Sequence, residues 1–346
     1  AKPAKPAKPA KPVAKPQPGE SGLLTQVFQS EIYQGIESKR VEFLSRCGVQ
    51  ESSTIGRHLQ AKAGVAQGAA KDLVKEKSRL AKQLKAAGFS PRLTEQEILT
   101  RVEGDVYLET LRRYKLLEKQ LAGATSQATQ AVAAVQGGSR EILLNIFGTS
   151  GLGKQKLLVE TKNYSKVIGK ELYARAKKDC GQVISWISRM AGGAPPRLLS
   201  RKAIVGIWDD IGRASYFGED KLIRVGTSHA QDSMRLRKSI SHEMGHFLEQ
   251  RTPKARQLLN DFYERRTAGE TEDLLGRGFS AEEKTKRDQF VRAYAGKTYS
   301  PLQSGGLRRT ELLSVGLEEL YTDPVSFARL DPEHFNLILA ILQGAL

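Results

Sequence analysis

One short stretch of the sequence has the residue types and the spacing of a metal-dependent hydrolytic site. It reads His242-Glu243-Met244-Gly245-His246, a His-Glu-x-x-His motif. On a helix, histidines four residues apart lie one turn apart on the same face, so both imidazoles can bind one tetrahedral metal ion such as Zn²⁺. The glutamate between them is placed to accept a proton from a metal-bound water. The motif therefore predicts a zinc site with His242 and His246 as ligands and Glu243 as general base.

The surrounding residues predict the helix that this motif needs. Five apolar residues recur at helical spacing: Leu236, Ile240, Met244, Phe247 and Leu248. They form one stripe of a helix, and His242 and His246 fall on the opposite side, as a site lining a cleft requires. The alternative is a solvent-facing histidine pair without a metal. The sequence has only five histidines, so a chance match to the motif is on the order of one percent.

A catalytic zinc ion usually has three protein ligands and one open position, so a third ligand is expected elsewhere in the chain. The extended motif H-E-x-x-H-x-x-G-x-x-H would place glycine at 249 and histidine at 252, but the chain has Glu249 and Thr252. The one histidine downstream is His334, in a segment typical of a turn and a helix start. A glutamate on a second helix is the better candidate.

The segment 310–320 supplies such glutamates. Leucines at three helical positions form its apolar face: Leu313, Leu317 and Leu320. Glu311 and Glu318 project from the opposite face, which predicts Glu311 as the third ligand and Glu318 as the hydrogen-bond partner of a ligand histidine. The alternatives are that Glu318 is the third ligand, or that both are solvated surface carboxylates. Gly316 costs a helix about 1 kcal/mol relative to alanine, a cost that close helix packing would explain.

These motifs resemble a known family. The His-Glu-x-Gly-His sequence, the segment 310–318 (TELLSVGLE) and the segment 320–328 (LYTDPVSFA) are similar to gluzincin-type zinc metallopeptidases found in prophages, often beside minor head proteins. More distantly, they resemble the catalytic domain of anthrax lethal factor. The segments 265–270 and 294–299 also fit the family, and the resemblance covers about residues 203–342.

The resemblance implies a zinc-dependent metalloendopeptidase that hydrolyses a protein substrate. It implies that zinc binds three side chains: His242, His246 and Glu311. Glu243 would be the general base, and a tyrosine shortly before the third ligand would stabilise the oxyanion. Tyr299 is the nearest match, but it precedes Glu311 by more residues than in relatives, so Tyr294 is the alternative; either could instead be a packed core tyrosine.

Composition limits the partners and the compartment. The chain has 346 residues and a formal net charge of +17. Such a charge favours anionic partners, namely nucleic acid or another polyanion, an acidic protein surface or anionic lipid, with a solvated basic surface as the alternative. No apolar run approaches the roughly 20 residues of a membrane span. Cys47 and Cys180 indicate no disulfide framework, which is typical of a reducing compartment.

The predicted fold is α+β and predominantly helical. Residues 1–20, with their Ala-Lys-Pro repeats, are expected to form a disordered tether that a polyanion could bind. Residues 21–136 read as a helical accessory domain, residues 137–200 as a helical connector, and residues 201–346 as a zincin-like metallopeptidase domain with a small sheet. With the resemblance, this predicts a protein of the bacterial cytoplasm or a phage particle, or one delivered to another cell without a conventional signal peptide.

Individual elements are predicted as well. Residues 203–208 read as a strand, and residues 214–217 and 222–225 flank a turn as a hairpin. His229 is expected in a surface loop. In the N-terminal half, Thr94 and Glu97 form a capping-box pattern.

A glycine-rich segment has the spacing of a nucleotide-binding loop. Residues 142–147 could form a strand, and residues 148–154 follow the pattern G-x-x-x-x-G-K. Gln155, however, stands where a serine or threonine should hold magnesium. The favoured interpretation is a glycine-rich turn before a helix near residues 164–190.

Three other functions remain open from the sequence. The first is a phage head or structural protein that zinc stabilises without catalysis. The second is a basic protein associated with nucleic acid, and the third is a toxin protease delivered into another cell. A closed fourth coordination position would favour the first, and steep salt dependence of DNA binding the second.

Overall fold

The structure is a computed structural model that describes residues 22–48, 54–94, 96–97, 104–148, 159–192, 202–209, 211–276, 279–299, 307 and 309–346. The described chain is predominantly helical with a small mixed sheet, as predicted. None of its helices is both long and apolar enough to cross a membrane.

Helices of very different length make up most of the fold. In the first half they are α1 (Gly22–Gln29), α2 (Glu31–Arg46), α3 (Thr54–Ala86), α4 (Gly104–Phe147) and α5 (Lys170–Met190). In the second half they are α6 (Thr227–Gln231), α7 (Ser233–Arg251), α8 (Pro253–Arg266), α9 (Leu312–Thr322), α10 (Pro324–Leu330) and α11 (Pro332–Leu342).

Four strands form the main sheet: β1 (Val159–Asn163), β2 (Ala203–Trp208), β3 (Ser215–Phe217) and β4 (Leu222–Gly226). Their order is β1-β2-β4-β3, with β1 and β4 parallel to β2 and with β3 antiparallel to β4. The predicted strand and hairpin are thus confirmed. A second sheet pairs β5 (Asp273–Leu274) with β6 (Lys284–Thr285).

The chain divides into two compact units. Of the described residues, those up to Ser45 and those from Ser139 onward form one unit, and those from Arg46 to Gly138 form the other. This division groups α1 and most of α2 with the C-terminal part, whereas the sequence suggested a separate accessory domain over residues 21–136.

In the unit of residues 46–138, a small apolar cluster joins three buried side chains: Leu84, Phe89 and Leu111. The predicted capping box is confirmed there. The Glu97 carboxylate accepts hydrogen bonds from the Thr94 backbone N–H (2.6 Å) and hydroxyl (2.7 Å), and the Thr94 hydroxyl accepts from the Glu97 N–H at 3.2 Å.

In the other unit, α2 packs on the last two helices, α10 and α11. Phe43 of α2 stacks on Phe335 of α11 with ring centroids 6.1 Å apart. Asn336 donates a hydrogen bond to Glu37 at 2.6 Å, and Arg40 donates to the carbonyl of Ala328 at 2.9 Å. These contacts therefore join α2 to residues almost 300 positions later in the sequence.

Two predictions about the middle of the chain are wrong. Residues 142–147, expected as a strand, form the last turns of α4. A short apolar run does not by itself distinguish a strand from a buried helix segment, and here Leu143, Leu144 and Phe147 are the buried face of a helix. The next helix begins at Lys170 rather than near residue 164, and strand β1 precedes it. Residues 149–155 of the glycine-rich segment lie outside the described residues.

Close packing of α7 on α9 forms the floor beneath the site. A Cβ atom on Gly245 would lie 2.3 Å from the Cα of Ser314, so no larger residue fits at this crossing. A Cβ on Gly316 would lie 2.4 Å from the Ile338 side chain. The two glycines therefore let three helices approach closely, which explains the mid-helix glycine noted in the sequence.

Candidate metal centre and cleft

Helix α7 carries the two motif histidines. The Asp232 side chain caps its first turn by accepting hydrogen bonds from the N–H groups of Met234 and Arg235. The predicted apolar stripe is fully or almost fully buried: Leu236, Ile240, Met244, Phe247 and Leu248. Burial of this face fixes the rotation of the helix, so that His242 and His246 line a cleft on its other side.

Three side chains converge in this cleft. Glu311, the residue just before α9, places its Oε2 3.3 Å from His242 Nε2 and 3.1 Å from His246 Nε2. All three candidate ligand atoms lie within 4.8 Å of one another. Ligand atoms about 2.0–2.1 Å from a tetrahedral ion are roughly 3.3 Å apart, so these separations match those of ligands around one ion. The triad could hold a metal ion.

Glu311 is buried and oriented by two hydroxyl groups. Ser314 donates a hydrogen bond to Oε2 at 2.6 Å, and the Tyr299 hydroxyl bonds to Oε1. The glutamate is 1% exposed, so its charge requires compensation inside the protein. Its two oxygens thus have distinct roles: Oε1 is held by the tyrosine, and Oε2 faces the imidazoles.

Glu318 holds the first histidine from behind. Its Oε2 lies 2.9 Å from His242 Nδ1. A proton on Nδ1 leaves the Nε2 lone pair directed toward the cleft, as metal ligation requires. Glu318 is in turn paired with Lys238 at 3.1 Å and with Arg292. Despite burial, contacts with His242 and these cations lower the pKa of Glu318 to about 2, which keeps it ionised.

The electrostatics of the triad favour a positive charge at its centre. Burial disfavours the imidazolium of His242, but Glu311 and Glu318 outweigh it and raise its pKa to about 10. The pKa of His246 is raised as well, because Glu311 again outweighs burial. Burial opposes ionisation of Glu311, yet the two imidazoles hold its pKa well below the usual range. Either protons or a metal ion can supply the charge that this carboxylate requires.

The predicted general base lies beside the triad. Glu243 is 5% exposed, follows His242 directly on α7, and lines the same cleft of about 1050 Å³. Burial raises its pKa, although the two imidazoles oppose that change. The edge strand β3 lines the cleft too, through Ser215 and Tyr216.

Both candidate tyrosines reach the triad. Burial, followed by the charge of Glu311, raises the pKa of Tyr294 and of Tyr299. The Tyr294 ring lies 5.9 Å from the His242 ring, and its hydroxyl accepts a hydrogen bond from Arg213. The Tyr299 hydroxyl bonds to Oε1 of Glu311, and the Tyr294 hydroxyl also interacts with Glu311 and with Tyr299.

The structure brings together every residue that the sequence singled out for the site: His242, Glu243, His246, Tyr294, Tyr299, Glu311 and Glu318. One expectation is wrong. His229 does not lie in a surface loop but is buried in α6, because this short helix packs against α5, α7 and β4. The sequence had no local signal for Arg213, Ser314 or Arg292, whose roles depend on tertiary contacts.

Comparisons with protein-family models, with curated proteins and with solved structures gave no match to this chain. Its function is therefore inferred from the residues and the geometry described above.

Proposed function

We propose that this protein is a zinc-dependent metalloendopeptidase. The observation that carries the proposal is the convergence of His242 Nε2, His246 Nε2 and Glu311 Oε2 in an open cleft, with Glu243 beside them. Two imidazoles and one carboxylate are a donor set that suits zinc and leaves a fourth position open. The resemblance of segments 310–318 and 320–328 to gluzincin peptidases points to the same reaction.

A bound zinc ion would supply Lewis acidity, which acidifies water and polarises a carbonyl group. The remaining steps belong to the chain. Glu243 accepts a proton from the attacking water and returns it to the amine that leaves when the peptide bond breaks. Glu318 keeps His242 in the tautomer that ligates, and Ser314 orients Oε2 of Glu311.

We assign different roles to the two tyrosines. The hydroxyl of Tyr299 bonds to Oε1 of Glu311, so this residue orients the ligand carboxylate. Tyr294 accepts a hydrogen bond from Arg213 and also interacts with Glu311 and the Tyr299 hydroxyl, and its proton can turn from these groups to a substrate oxygen in the cleft. Tyr294 and Arg213 are therefore the better donors to the developing oxyanion of the substrate.

The cleft suits a polypeptide substrate. Strand β3 lies at the edge of the sheet and lines the cleft, and no described strand pairs with its outer edge. An extended peptide can pair with such an edge through backbone hydrogen bonds, which do not depend on the side chains of the peptide.

The test is the zinc content and the peptidase activity of three proteins: the wild type, Glu311→Ala and Glu243→Gln. We expect about one zinc ion per wild-type chain and cleavage of an unstructured protein substrate. Glu311→Ala should lose most of the zinc, whereas Glu243→Gln should keep the zinc and lose cleavage.

The contrary outcomes are distinct. Zinc in the wild type with no cleavage of any substrate would favour a structural metal. Full cleavage by Glu243→Gln would remove this residue from the mechanism. Unchanged zinc in Glu311→Ala would move the third ligand, most simply to Glu318.

A further inference from the structure

The walls of the cleft are more basic than its floor. Seven cationic side chains line it: Arg213, Arg235, Lys238, Arg256, Arg292, Lys297 and Arg309. Four carboxylates line it as well: Glu243, Glu249, Glu311 and Glu318. Three of these glutamates belong to the candidate metal centre. The cationic side chains outnumber the carboxylates, so the cleft presents net positive charge to a ligand.

Several of these cations already have partners. Lys238 and Arg292 pair with Glu318 beneath the metal centre. Lys297 pairs with Glu283 at 2.5 Å, and Arg213 lies 3.4 Å from the same carboxylate. These contacts hold the four cations in place beside the candidate metal centre, so they are less free to move toward a ligand than unpaired side chains are.

Three cations, which we call the rim arginines, are different: Arg235, Arg256 and Arg309. In the part of the chain that the structure describes, no carboxylate lies within ion-pair distance of any of them. Among the described residues, the Arg235 side chain donates a hydrogen bond only to the carbonyl of Gly212, at 3.2 Å. The buried Nε of Arg256 has no hydrogen-bond partner among the described atoms. Their charge is therefore available.

The rim arginines lie at opposite ends of the metal-binding helix. Arg235 is in the first turn of α7. Arg309 immediately precedes Thr310, whose N–H and hydroxyl bond to Glu249 in the last turn of α7. Arg256 acts electrostatically on the same Glu249. At about 1.5 Å per residue, the stretch from 235 to 249 is roughly 21 Å long, which equals about six residues of extended peptide at 3.3 Å each.

Glu249 neutralises the arginines near it only in part at neutral pH. Burial raises its pKa to about 7, although His246 and the backbone of Thr310 oppose this change. A substantial fraction of Glu249 is therefore uncharged near pH 7, and the end of the cleft at Arg256 and Arg309 is correspondingly more positive.

We propose that the cleft selects peptides with acidic side chains on either side of the cleaved bond, and that Arg256 and Arg309 bind the carboxylates at the His246 end. This inference rests on the proposed peptidase function and names its substrate class. The charge pattern favours a peptide over a nucleic acid. Unpaired positive charge lies at both ends and the carboxylates of the candidate metal centre lie between them, whereas a nucleic-acid strand carries phosphate charge along its whole length.

The test measures binding separately from cleavage. Zinc-loaded Glu243→Gln protein is titrated into three fluorescein-labelled hexapeptides that share a central Leu-Leu pair and carry aspartate, asparagine or lysine at the flanking positions. We expect fluorescence anisotropy to show the aspartate peptide binding about tenfold more tightly than the asparagine peptide, a difference of about 1.4 kcal/mol that two exposed ion pairs can supply. The preference should weaken as salt is added.

Matched variants locate the preference. Arg256→Gln and Arg309→Gln, each in the Glu243→Gln background, should reduce the preference for aspartate severalfold and leave asparagine binding unchanged. The control is Lys254→Gln, which removes a charge from an exposed position on α8 outside the cleft. Arg309 is exposed, so its variant tests the proposal even if Arg256→Gln unfolds.

Three results would overturn the inference. The first is equal binding of the aspartate and asparagine peptides. The second is an equal loss of preference in Lys254→Gln. The third is equally tight, arginine-dependent binding of a single-stranded oligonucleotide of the same charge, which would make the cleft a general polyanion site. Cleavage of the asparagine peptide by the wild type would still support the proposed peptidase, so the two failures are distinguishable.

Discussion

The floor and the rim of the cleft use charge in opposite ways. On the floor, where α7 faces α9, Glu311 and Glu318 are buried, and each is bonded by at least two other side chains. On the rim, Arg235 and Arg309 are exposed and lack carboxylate partners among the described residues. Buried charges that are multiply bonded can hold a reactive geometry, whereas exposed charges can adjust to a ligand. Mutations on the floor should therefore change the stability of the protein and its metal binding. Mutations on the rim should change which peptides the cleft binds.

The largest effect is expected at the helix crossing. Gly245→Ala would place a methyl group 2.3 Å from the Cα of Ser314, so α7 and α9 must separate. We expect a loss of about 3 kcal/mol in the free energy of unfolding, at the upper end of the usual cost of overpacking. Zinc content should fall as well, since the separation displaces Glu311. Chemical denaturation and metal analysis measure both quantities.

A second glycine provides the control for that variant. Gly181 lies within α5, and among the described residues no atom outside the adjacent turns of its own helix lies within 4 Å of the position where its Cβ would be. Gly181→Ala should therefore stabilise the protein by about 0.5–1 kcal/mol, through helix propensity alone. Destabilisation of similar size in both variants would mean that the crossing is not specially tight.

Removing one phenol hydroxyl at a time should separate positioning from catalysis. Tyr294→Phe should reduce kcat about 100-fold, as loss of one oxyanion donor does, and should weaken zinc binding less than Tyr299→Phe does. Tyr299→Phe should weaken zinc binding, because Glu311 loses the group that holds Oε1. Steady-state kinetics and competition with a chelator measure the two effects. The reverse pattern would exchange the roles of the tyrosines.

Glu318→Gln tests the support behind the metal centre. The amide retains the shape of the side chain but loses the charge that pairs with His242, Lys238 and Arg292. We expect zinc affinity to fall about 10- to 100-fold. Glu283→Gln is the control, because Glu283 also pairs with two cations but touches no candidate ligand. Similar losses in both variants would assign the effect to general electrostatics.

The smallest effect on stability is expected at the rim. Arg235→Gln and Arg309→Gln remove exposed charges, and each should change the free energy of unfolding by less than about 0.5 kcal/mol. Thermal unfolding of the two variants beside the wild type measures this. A decrease of 2 kcal/mol or more in the free energy of unfolding would mean that these arginines stabilise the fold. The distinction between the floor and the rim would then be wrong.

The residues of the candidate metal centre could be predicted from sequence because His242, His246 and Glu318 follow helical spacing and Glu311 lies at the start of a predicted helix. The spacing of His242 and His246 determines that they share a face, and the leucine pattern of residues 313–320 turns Glu311 and Glu318 the other way. Gly316 in mid-helix indicated close packing. Only the packing of one helix on the other was needed to bring these groups together.

The surroundings of the centre were not predictable in the same way. Arg292 reaches Glu318 across 26 positions, and Arg213 reaches Tyr294 across 81. Such pairs depend on the path of the chain between helices, for which periodicity carries no information. Residues 142–147 show a related difficulty. Whether a short buried apolar segment forms a strand or a helix depends on what packs against it.

The packing of α2 on α11 also has a consequence for synthesis of the protein. Phe43 leaves the ribosome long before its partner Phe335. Because this contact closes a loop of nearly 300 residues, the part of the core that joins α2 to α11 cannot form until α11 has been synthesised. Until then the apolar face of α2 that α11 covers remains exposed and requires protection from aggregation. A nascent chain of this protein therefore completes this part of its core only after the helices of the site have been made.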